Sequence, residues 1–208
     1  LITLSFLTIF GFETNKFNNL LEDKVILSEP NVKINLNKIK IKIDIKNLSL
    51  FITTKNPELI YYDNKIKIDK INAYIDAKSL LFGNPKIKKV FLASKNTDIK
   101  EIQDIIKLVK PSTFKKFILN DIEKGIINLS LDLFFDDNSL SNFEINGYAK
   151  NFSANIQKVQ LKNASFVFSS IKKLSEINEL RGLINGIQIN SGDIKIDSSK
   201  FLKVKGNL

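Results

Sequence analysis

The stretch IKIKIDIKNLSLFI, residues 39–52, decides the fold class of this chain. Apolar residues occupy every second position, with one slip between the two halves: Ile39, Ile41, Ile43 and Ile45, then Leu48, Leu50 and Ile52. Successive side chains of a β-strand point to opposite faces, so each half has one apolar and one polar face. We therefore predict two amphipathic β-strands with a turn at Lys46-Asn47.

The same period of two recurs along the chain from Val32 onward. Its members beyond residue 52 include Ile66 and Ile68, then Leu129, Leu131 and Leu133, then Phe166 and Phe168. Short polar segments separate these runs, and Asp63-Asn64 is predicted to form a hairpin turn. The fold class is therefore predicted as mainly β with minor α, built on a long twisted antiparallel sheet.

Three segments have helical periodicity instead. The clearest is Asp98–Lys110, where apolar residues form one stripe and Pro111 ends the helix. A short amphipathic helix is predicted within Phe17–Leu27, and a second short helix from Phe114 to Ile122. The predicted chain is thus a sheet interrupted by a few short helices.

The N-terminal segment Leu1–Phe12 carries no charge and is shorter than the about 20 apolar residues of a spanning helix. We interpret residues 1–14 as the C-terminal part of a signal anchor or transmembrane helix, in a chain that is a piece of a longer protein. A signal-peptide core and a buried segment of the folded domain are the alternatives. Residues 15–30 are then a short linker helix, and residues 31–208 a β-rich domain truncated at its C-terminus.

The composition excludes most enzyme classes. The chain has no histidine and no cysteine, so it cannot build a Ser-His-Asp triad, a thiol nucleophile or a zinc site from those ligands. The paired carboxylates Asp136-Asp137 stand in a turn rich in Asp and Asn, which favours solvated side chains over acid-base catalysis. We predict a protein that is not an enzyme and that needs neither a metal nor another cofactor.

The formal net charge of +10 draws the chain toward anionic surfaces. Arg181 is the only arginine, whereas proteins that read nucleic-acid sequence depend on arginine forks, so we predict no nucleic-acid partner. Many lysines alternate with isoleucine, which is typical of the solvated face of a strand. Attraction to anionic lipid headgroups is the second interpretation of the same charge.

A longer pattern joins these elements. Strands around NLSLFITTKNPEL, residues 47–59, precede the segment KIKIDKINAYIDAKSLLFGNPKIKKVFLASKNTDI, residues 65–99. Within that segment, Leu-Leu-x-Gly at residues 80–83 is followed by Ile87, Val90 and Leu92. This order resembles the N-terminal region of the AsmA-like family of bacterial envelope proteins. Residues 143–156 and 182–197 are similar to the strand-rich repeats of its larger members.

The resemblance implies an anchor in the inner membrane and a periplasmic sheet curled into an open apolar groove. It also implies a role in moving phospholipid toward the outer membrane, with phospholipid, the inner membrane and other envelope proteins as partners. Such a groove needs a continuous apolar surface and no catalytic residue. Its candidate lining residues are Ile39, Ile41, Ile43, Ile45, Leu48, Leu50, Ile52, Ile66, Ile68, Leu129, Leu131, Leu133, Phe166 and Phe168.

Two alternatives stay open from the residues alone. The apolar face could be an ordinary closed core rather than a groove. The protein could also be an anchored, non-enzymatic β-rich scaffold or assembly factor of the cell envelope, which binds other proteins through its sheet edges.

Overall fold

The computed structural model of the chain describes residues 7–16, 18–28, 30–45, 49–82, 86–137, 139–197, 199 and 203–207. These residues form a 15-stranded antiparallel sheet with short helices, which confirms a mainly β fold. Within the described residues the sheet does not close on itself. The chain divides into two compact units. Unit 1 is Leu1–Ser94 with Leu131–Phe143, and unit 2 is Lys95–Ser130 with Glu144–Leu208.

Unit 1 holds the strands of the N-terminal half. They are β1 (Phe12–Thr14), β2 (Val32–Asn35), β3 (Ile39–Asp44), β4 (Ser49–Lys55), β5 (Glu58–Tyr61), β6 (Asn64–Asp76) and β7 (Ile87–Ser94). Its helices are α1 (Asn18–Ser28) and α2 (Ala77–Leu81). Two long strands, β9 (Ile122–Asp136) and β10 (Ser139–Ile156), contribute residues to both units. The strand order here is β1-β3-β4-β6-β7-β9, and β5 pairs with both β2 and β6.

Unit 2 combines the remaining strands with two helices. These elements are β8 (Thr97–Asp98), α3 (Ile99–Leu108), α4 (Thr113–Asn120), β11 (Val159–Ile171), β12 (Leu174–Ile184), β13 (Ile187–Ile189), β14 (Asp193–Asp197) and β15 (Lys203–Asn207). The strand order is β9-β10-β11-β12-β14-β15, while β8 pairs with β9 and β13 with β12. Long antiparallel strands joined by short turns therefore build both units.

Helix α3 confirms the clearest helical prediction, because it lies within Asp98–Lys110. Asp98 caps its first turn by accepting a hydrogen bond from the Lys100 backbone N–H at 2.9 Å. Helix α1 likewise lies where a short helix was predicted, but it extends to Ser28 and its apolar residues do not gather on one side, so its amphipathic character is not confirmed. The prediction of helix as far as Ile122 was wrong. The backbone N–H of Asn155 donates to the Asp121 carbonyl at 2.7 Å, so the chain joins the sheet there and Ile122 begins β9.

Replacing Asp98 with alanine is expected to lower the free energy of unfolding by about 1 kcal/mol, because an N-terminal donor of α3 loses its acceptor. Asp104→Ala is the matched control, since Asp104 lies exposed in the middle of the same helix and alanine is the better helix former. Urea unfolding of both variants measures the difference. Equal destabilisation by the two substitutions would contradict the capping role.

The hairpin between β5 and β6 forms one residue earlier than predicted. Tyr61 pairs with Asn64, so the two-residue loop is Tyr62-Asp63 rather than Asp63-Asn64. Both loop residues have positive φ, 45° and 64°, as a type I′ turn requires. The Asn64 side chain donates to the Tyr62 carbonyl at 2.9 Å, which places it in the first position of β6 instead of in the turn.

The N-terminal segment was predicted to be an anchor helix as far as residue 14. Residues 7–9 are helical, but Phe12–Thr14 form β1 and pair with β3, Phe12 lying opposite Ile41. Residues 1–6 lie outside the described part of the chain. No helix in the described ranges has both the length and the apolar character needed to cross a membrane. The anchor therefore stays a prediction.

Unit 2 is held together by a buried apolar cluster under its two helices. The fully packed members are Ile99, Ile118, Ile122, Ala149, Phe152, Ala154, Ala164 and Leu180. They come from α3, α4 and strands β9 to β12, so the helices cover one face of the sheet. The Gln103 side-chain amide donates to the carbonyls of both Ile118 and Ile122 at 2.9 Å, which links α3 to α4 and β9.

Three neighbouring strands of unit 2 carry an irregularity beside this cluster. Asn151 in β10, Asn163 in β11 and Glu179 in β12 all have positive φ, between 49° and 55°. The pairing register shifts next to each of them. An extra residue in a strand bends it and increases its twist, so a bulge in each neighbour lets adjacent strands bend together.

Candidate functional site

The predicted groove residues of unit 1 come together on one face of the sheet. Directly opposed residues of antiparallel strands share a face, so the register assigns each side chain to a side. Three cross-strand rows define this face: Phe12, Ile41, Ile52, Ala73 and Val90; Ile43, Leu50 and Ile75; and Thr14, Ile39, Thr54, Ile71 and Leu92. We call it the apolar face of unit 1, because Thr14 and Thr54 are the only polar residues in these rows.

A bulge in β6 keeps Ile66 and Ile68 on this apolar face. Ile68 opposes Ser94, and Ile71 opposes Leu92, which precedes Ser94 by two residues. The register shift at Ile68 compensates for the odd spacing between Ile68 and Ile71, so both point to the same side. Ile66 lies two residues before Ile68 and extends the face toward its partner Leu59.

Strand β9 adds Leu131 and Leu133 to the apolar face. The Lys89 ammonium lies 2.8 Å from the Asp132 carboxylate, which places Asp132 on the same side as Lys89. Lys89 opposes Tyr74 and so lies on the side away from Ala73 and Ile75. The neighbours of Asp132 therefore point to the apolar face.

The apolar face of unit 1 is half-buried rather than sealed. Eleven of its members, on five strands, keep an intermediate exposure: Ile41, Ile43, Leu50, Ile52, Ile71, Ala73, Ile75, Val90, Leu92, Leu131 and Leu133. Residues on the opposite face of the same strands, such as Phe51 and Tyr74, are half-buried to a similar degree. Ile39 and Ile68 are buried, with 1% and 8% of their surface exposed. Neither face of the central strands is therefore packed into a dry core.

The opposite face of unit 1 is polar, and its side chains interact with one another across neighbouring strands. The rings of Phe51 and Tyr74 are 4.9 Å apart, and the Lys89 ammonium lies 5.1 Å from the Phe134 ring centre. The Thr53 hydroxyl donates to the Asn72 side chain at 2.6 Å. Lysines lying over aromatic rings and paired with carboxylates are typical of a solvated surface.

One carboxylate at the end of this polar face has a shifted pKa. The Lys88 ammonium lies 2.5 Å from Asp76, and the Ser79 backbone N–H donates to the same carboxylate at 2.7 Å. The hydrogen bond from Lys88, followed by that from Ser79, holds the pKa of Asp76 below its usual value. The carboxylate thus stays ionised and caps α2 at neutral pH.

The turn predicted around Asp136-Asp137 has the expected solvated character. Strand β9 ends at Asp136, and Asp137 follows with a positive φ of 46°. Asp137 is exposed and its carboxylate lies 2.5 Å from the Lys86 ammonium, which lowers the pKa of Asp137 and raises that of Lys86. This ion pair joins the residue that precedes β7 to the turn that follows β9.

The candidate residues in unit 2 have different surroundings. Phe166 packs against the buried cluster, with its ring 5.3 Å from that of Phe152 in an edge-to-face arrangement. Phe168 lies opposite Gly147, and a side chain at Gly147 would begin 2.6 Å from the Phe168 ring. The Phe168 ring therefore covers a glycine, and α3 and α4 cover the cluster that Phe166 joins. At these two positions the structure favours the packed-core alternative.

The remaining candidates fall at the margins of these surfaces. Leu129 is half-buried and shares its side of β9 with Ile127, which packs against the cluster of unit 2. Ile45 follows β3 and has 52% of its surface exposed. Leu48 lies outside the described residues.

The apolar face also contains residues that were not among the candidates. Ile71, Ala73 and Ile75 alternate in the sequence and could have been found from that period. Val90 and Leu92 were noted only as part of a family-like pattern, since their side of the sheet depends on the register with β6. Within the described residues, no group of three acidic side chains is placed to hold a metal ion.

Comparison of the chain with protein-family models, with curated proteins and with solved structures finds no match.

Proposed function

We propose that the protein binds the acyl chains of phospholipids along the apolar face of unit 1 and supports lipid transport between two membranes. One observation carries the proposal: apolar residues of β3, β4, β6, β7 and β9 line up on one side of the sheet without being packed into a dry core. The hydrocarbon chains of a bound lipid would bury the apolar surface that the protein itself leaves partly exposed.

The energetics favour a continuous apolar surface over any single contact. Each buried methylene of an acyl chain contributes about 0.8 kcal/mol, so about a dozen methylenes would outweigh a few unfavourable polar contacts. A lipid could advance along such a face by exchanging equivalent contacts. This process requires no catalytic residue, in agreement with a sequence that lacks histidine and cysteine.

The resemblance to the AsmA-like family supports the same proposal and supplies the cellular setting. In that setting the protein is anchored in the inner membrane, the sheet lies in the periplasm, and the phospholipid moves toward the outer membrane during outer-membrane biogenesis. The second candidate function is a β-rich envelope scaffold. The helix-covered cluster of unit 2 favours this alternative for that unit, because its sheet face is already occupied.

The proposal is tested by placing the same charge on either face of β4. Ile52→Asp puts a carboxylate on the apolar face, whereas Phe51→Asp puts it on the polar face of the same strand. Both residues are half-buried and hydrophobic, so the two variants are matched for lost packing. A carboxylate facing hydrocarbon has no partner, and we expect Ile52→Asp to reduce bound phospholipid about tenfold, with little change for Phe51→Asp.

Mass spectrometry of lipid that co-purifies with each variant, together with crosslinking to a photoreactive phospholipid, measures the effect. Circular dichroism reports whether the sheet remains intact. Absence of phospholipid from the parent protein, or equal loss from both folded variants, would reject lipid binding and leave the scaffold function.

A further inference from the structure

A cavity of about 610 Å³ opens in unit 1 at one end of strands β3 and β4. Its polar lining comes from Glu13, Asn15, Asn37, Lys38, Lys40, Thr53 and Lys55. Glu13, Lys40 and Thr53 oppose one another across β1, β3 and β4, so the cavity lies on the polar face. Ile39, a member of the apolar face, also contributes to the lining. An inference about the charged residues of this cavity does not rest on the proposed lipid binding.

The charge in this cavity is unbalanced. Lys38, Lys40 and Lys55 are three basic residues of the lining, and Glu13 is its single acidic residue. The difference, three minus one, leaves an excess of two positive charges. Within the described part of the chain, none of the three ammonium groups takes part in an ion pair or a hydrogen bond. Nearby polar groups are already engaged, since Thr53 donates to Asn72 and the Asn37 side chain donates to the Asn56 carbonyl.

We propose that this cavity binds a phosphate-bearing dianion, the class that includes inorganic phosphate and phosphomonoester headgroups. A phosphomonoester carries about two negative charges near neutral pH, which matches the excess charge of the lining. Lysine binds phosphate as a point charge, and three flexible ammonium groups can converge on the oxygens of one phosphate. The volume lies within the range of about 300–1,000 Å³ that small-ligand sites occupy.

The decisive variant removes the three positive charges while it keeps long polar side chains. It combines Lys38→Gln, Lys40→Gln and Lys55→Gln. The matched control combines Lys116→Gln, Lys158→Gln and Lys162→Gln, three exposed lysines outside the cavity lining. Both variants have the same net charge, so a difference between them reports the cavity and not general attraction of a basic protein to anions.

Two probes distinguish the sources of the phosphate group. Inorganic phosphate is titrated by calorimetry into the full chain, and vesicles of phosphatidylcholine with phosphatidic acid are tested by co-sedimentation. We expect the cavity variant to weaken binding at least about tenfold and the control variant to change it less than about twofold. If inorganic phosphate binds and only the cavity variant weakens that binding, the ligand is a soluble phosphate compound. If the cavity variant weakens binding to vesicles and inorganic phosphate does not bind, the ligand is a lipid headgroup. Equal loss in both variants, or binding of neither probe, overturns the proposal.

A substitution of opposite sign gives a second readout. Glu13→Gln removes the one repulsive charge of the lining, and we expect it to tighten binding about threefold. Glu179→Gln, an exposed residue of unit 2, controls for the same change in net charge. This comparison and the single variant Lys55→Gln keep the proposal testable should the triple variant fail to fold. Tightening by both glutamate variants alike would count against the cavity.

Discussion

Replacing Phe152 with alanine is expected to lower the free energy of unfolding by about 3–5 kcal/mol, because it opens a cavity at the centre of unit 2. The side chain keeps only 6% of its surface exposed, and its ring packs edge-to-face against Phe166. The cluster around it includes residues of both helices and of four strands. Little backbone is free to relax into the space that the ring would leave.

Val167→Ala provides the comparison for this loss. Val167 lies in β11 next to Phe166 but keeps 44% of its surface exposed, so its truncation should cost less than about 1 kcal/mol. Urea unfolding monitored by circular dichroism measures both variants. A loss below about 1 kcal/mol for Phe152→Ala would show that α3 and α4 do not close this face of the sheet in solution.

The fold class was predictable because strand periodicity depends on local sequence. In residues 39–45 the alternation of isoleucine with lysine and aspartate assigns each side chain to a face without knowledge of any partner strand. The same reasoning found α3 from its apolar stripe and from Pro111 after it. Local signals therefore identified elements and, within each strand, the apolar side.

Local signals could not tell which apolar sides would meet or what would cover them. The face to which Ile68 belongs depends on a bulge, and a bulge is defined by the partner strand. Phe166 and Ile43 both belong to runs with an apolar residue at every second position, yet helices cover the cluster around Phe166 while Ile43 stays half-buried on the sheet. Whether a helix covers a given sheet face depends on tertiary packing. The periodicity of a helix or a strand does not reveal which elements will pack together.

The lysine cavity was missed for a related reason. Lys38, Lys40 and Lys55 are three among many lysines in the sequence, and only the pairing of β3 with β4 brings Lys40 opposite Thr53 and near Lys55. A count of charges predicts attraction to anions but gives no position for it. The position follows from the register, which brings Glu13, Lys40 and Thr53 opposite one another on the polar face.

Replacing Gly125 with alanine is expected to lower the free energy of unfolding by about 2–5 kcal/mol, through two separable causes. Its φ of 153° lies in a region that side chains other than glycine rarely adopt. In addition, an added Cβ would stand 2.9 Å from the Phe152 ring and 3.1 Å from the Phe152 Cα. The first cost is set by the backbone of β9, and the second by the residue packed over it.

A double-mutant cycle with Phe152→Ala separates these two causes. Alanine at 152 removes the ring atoms that the new methyl group meets, so the Gly125→Ala substitution should cost about 1–3 kcal/mol less in that background. The strain of the positive φ remains, because neither substitution changes the path of the chain. Equilibrium unfolding of the four proteins measures the coupling free energy. Strict additivity would mean that Phe152 does not pack over Gly125, and the placement of β9 against β10 would need revision.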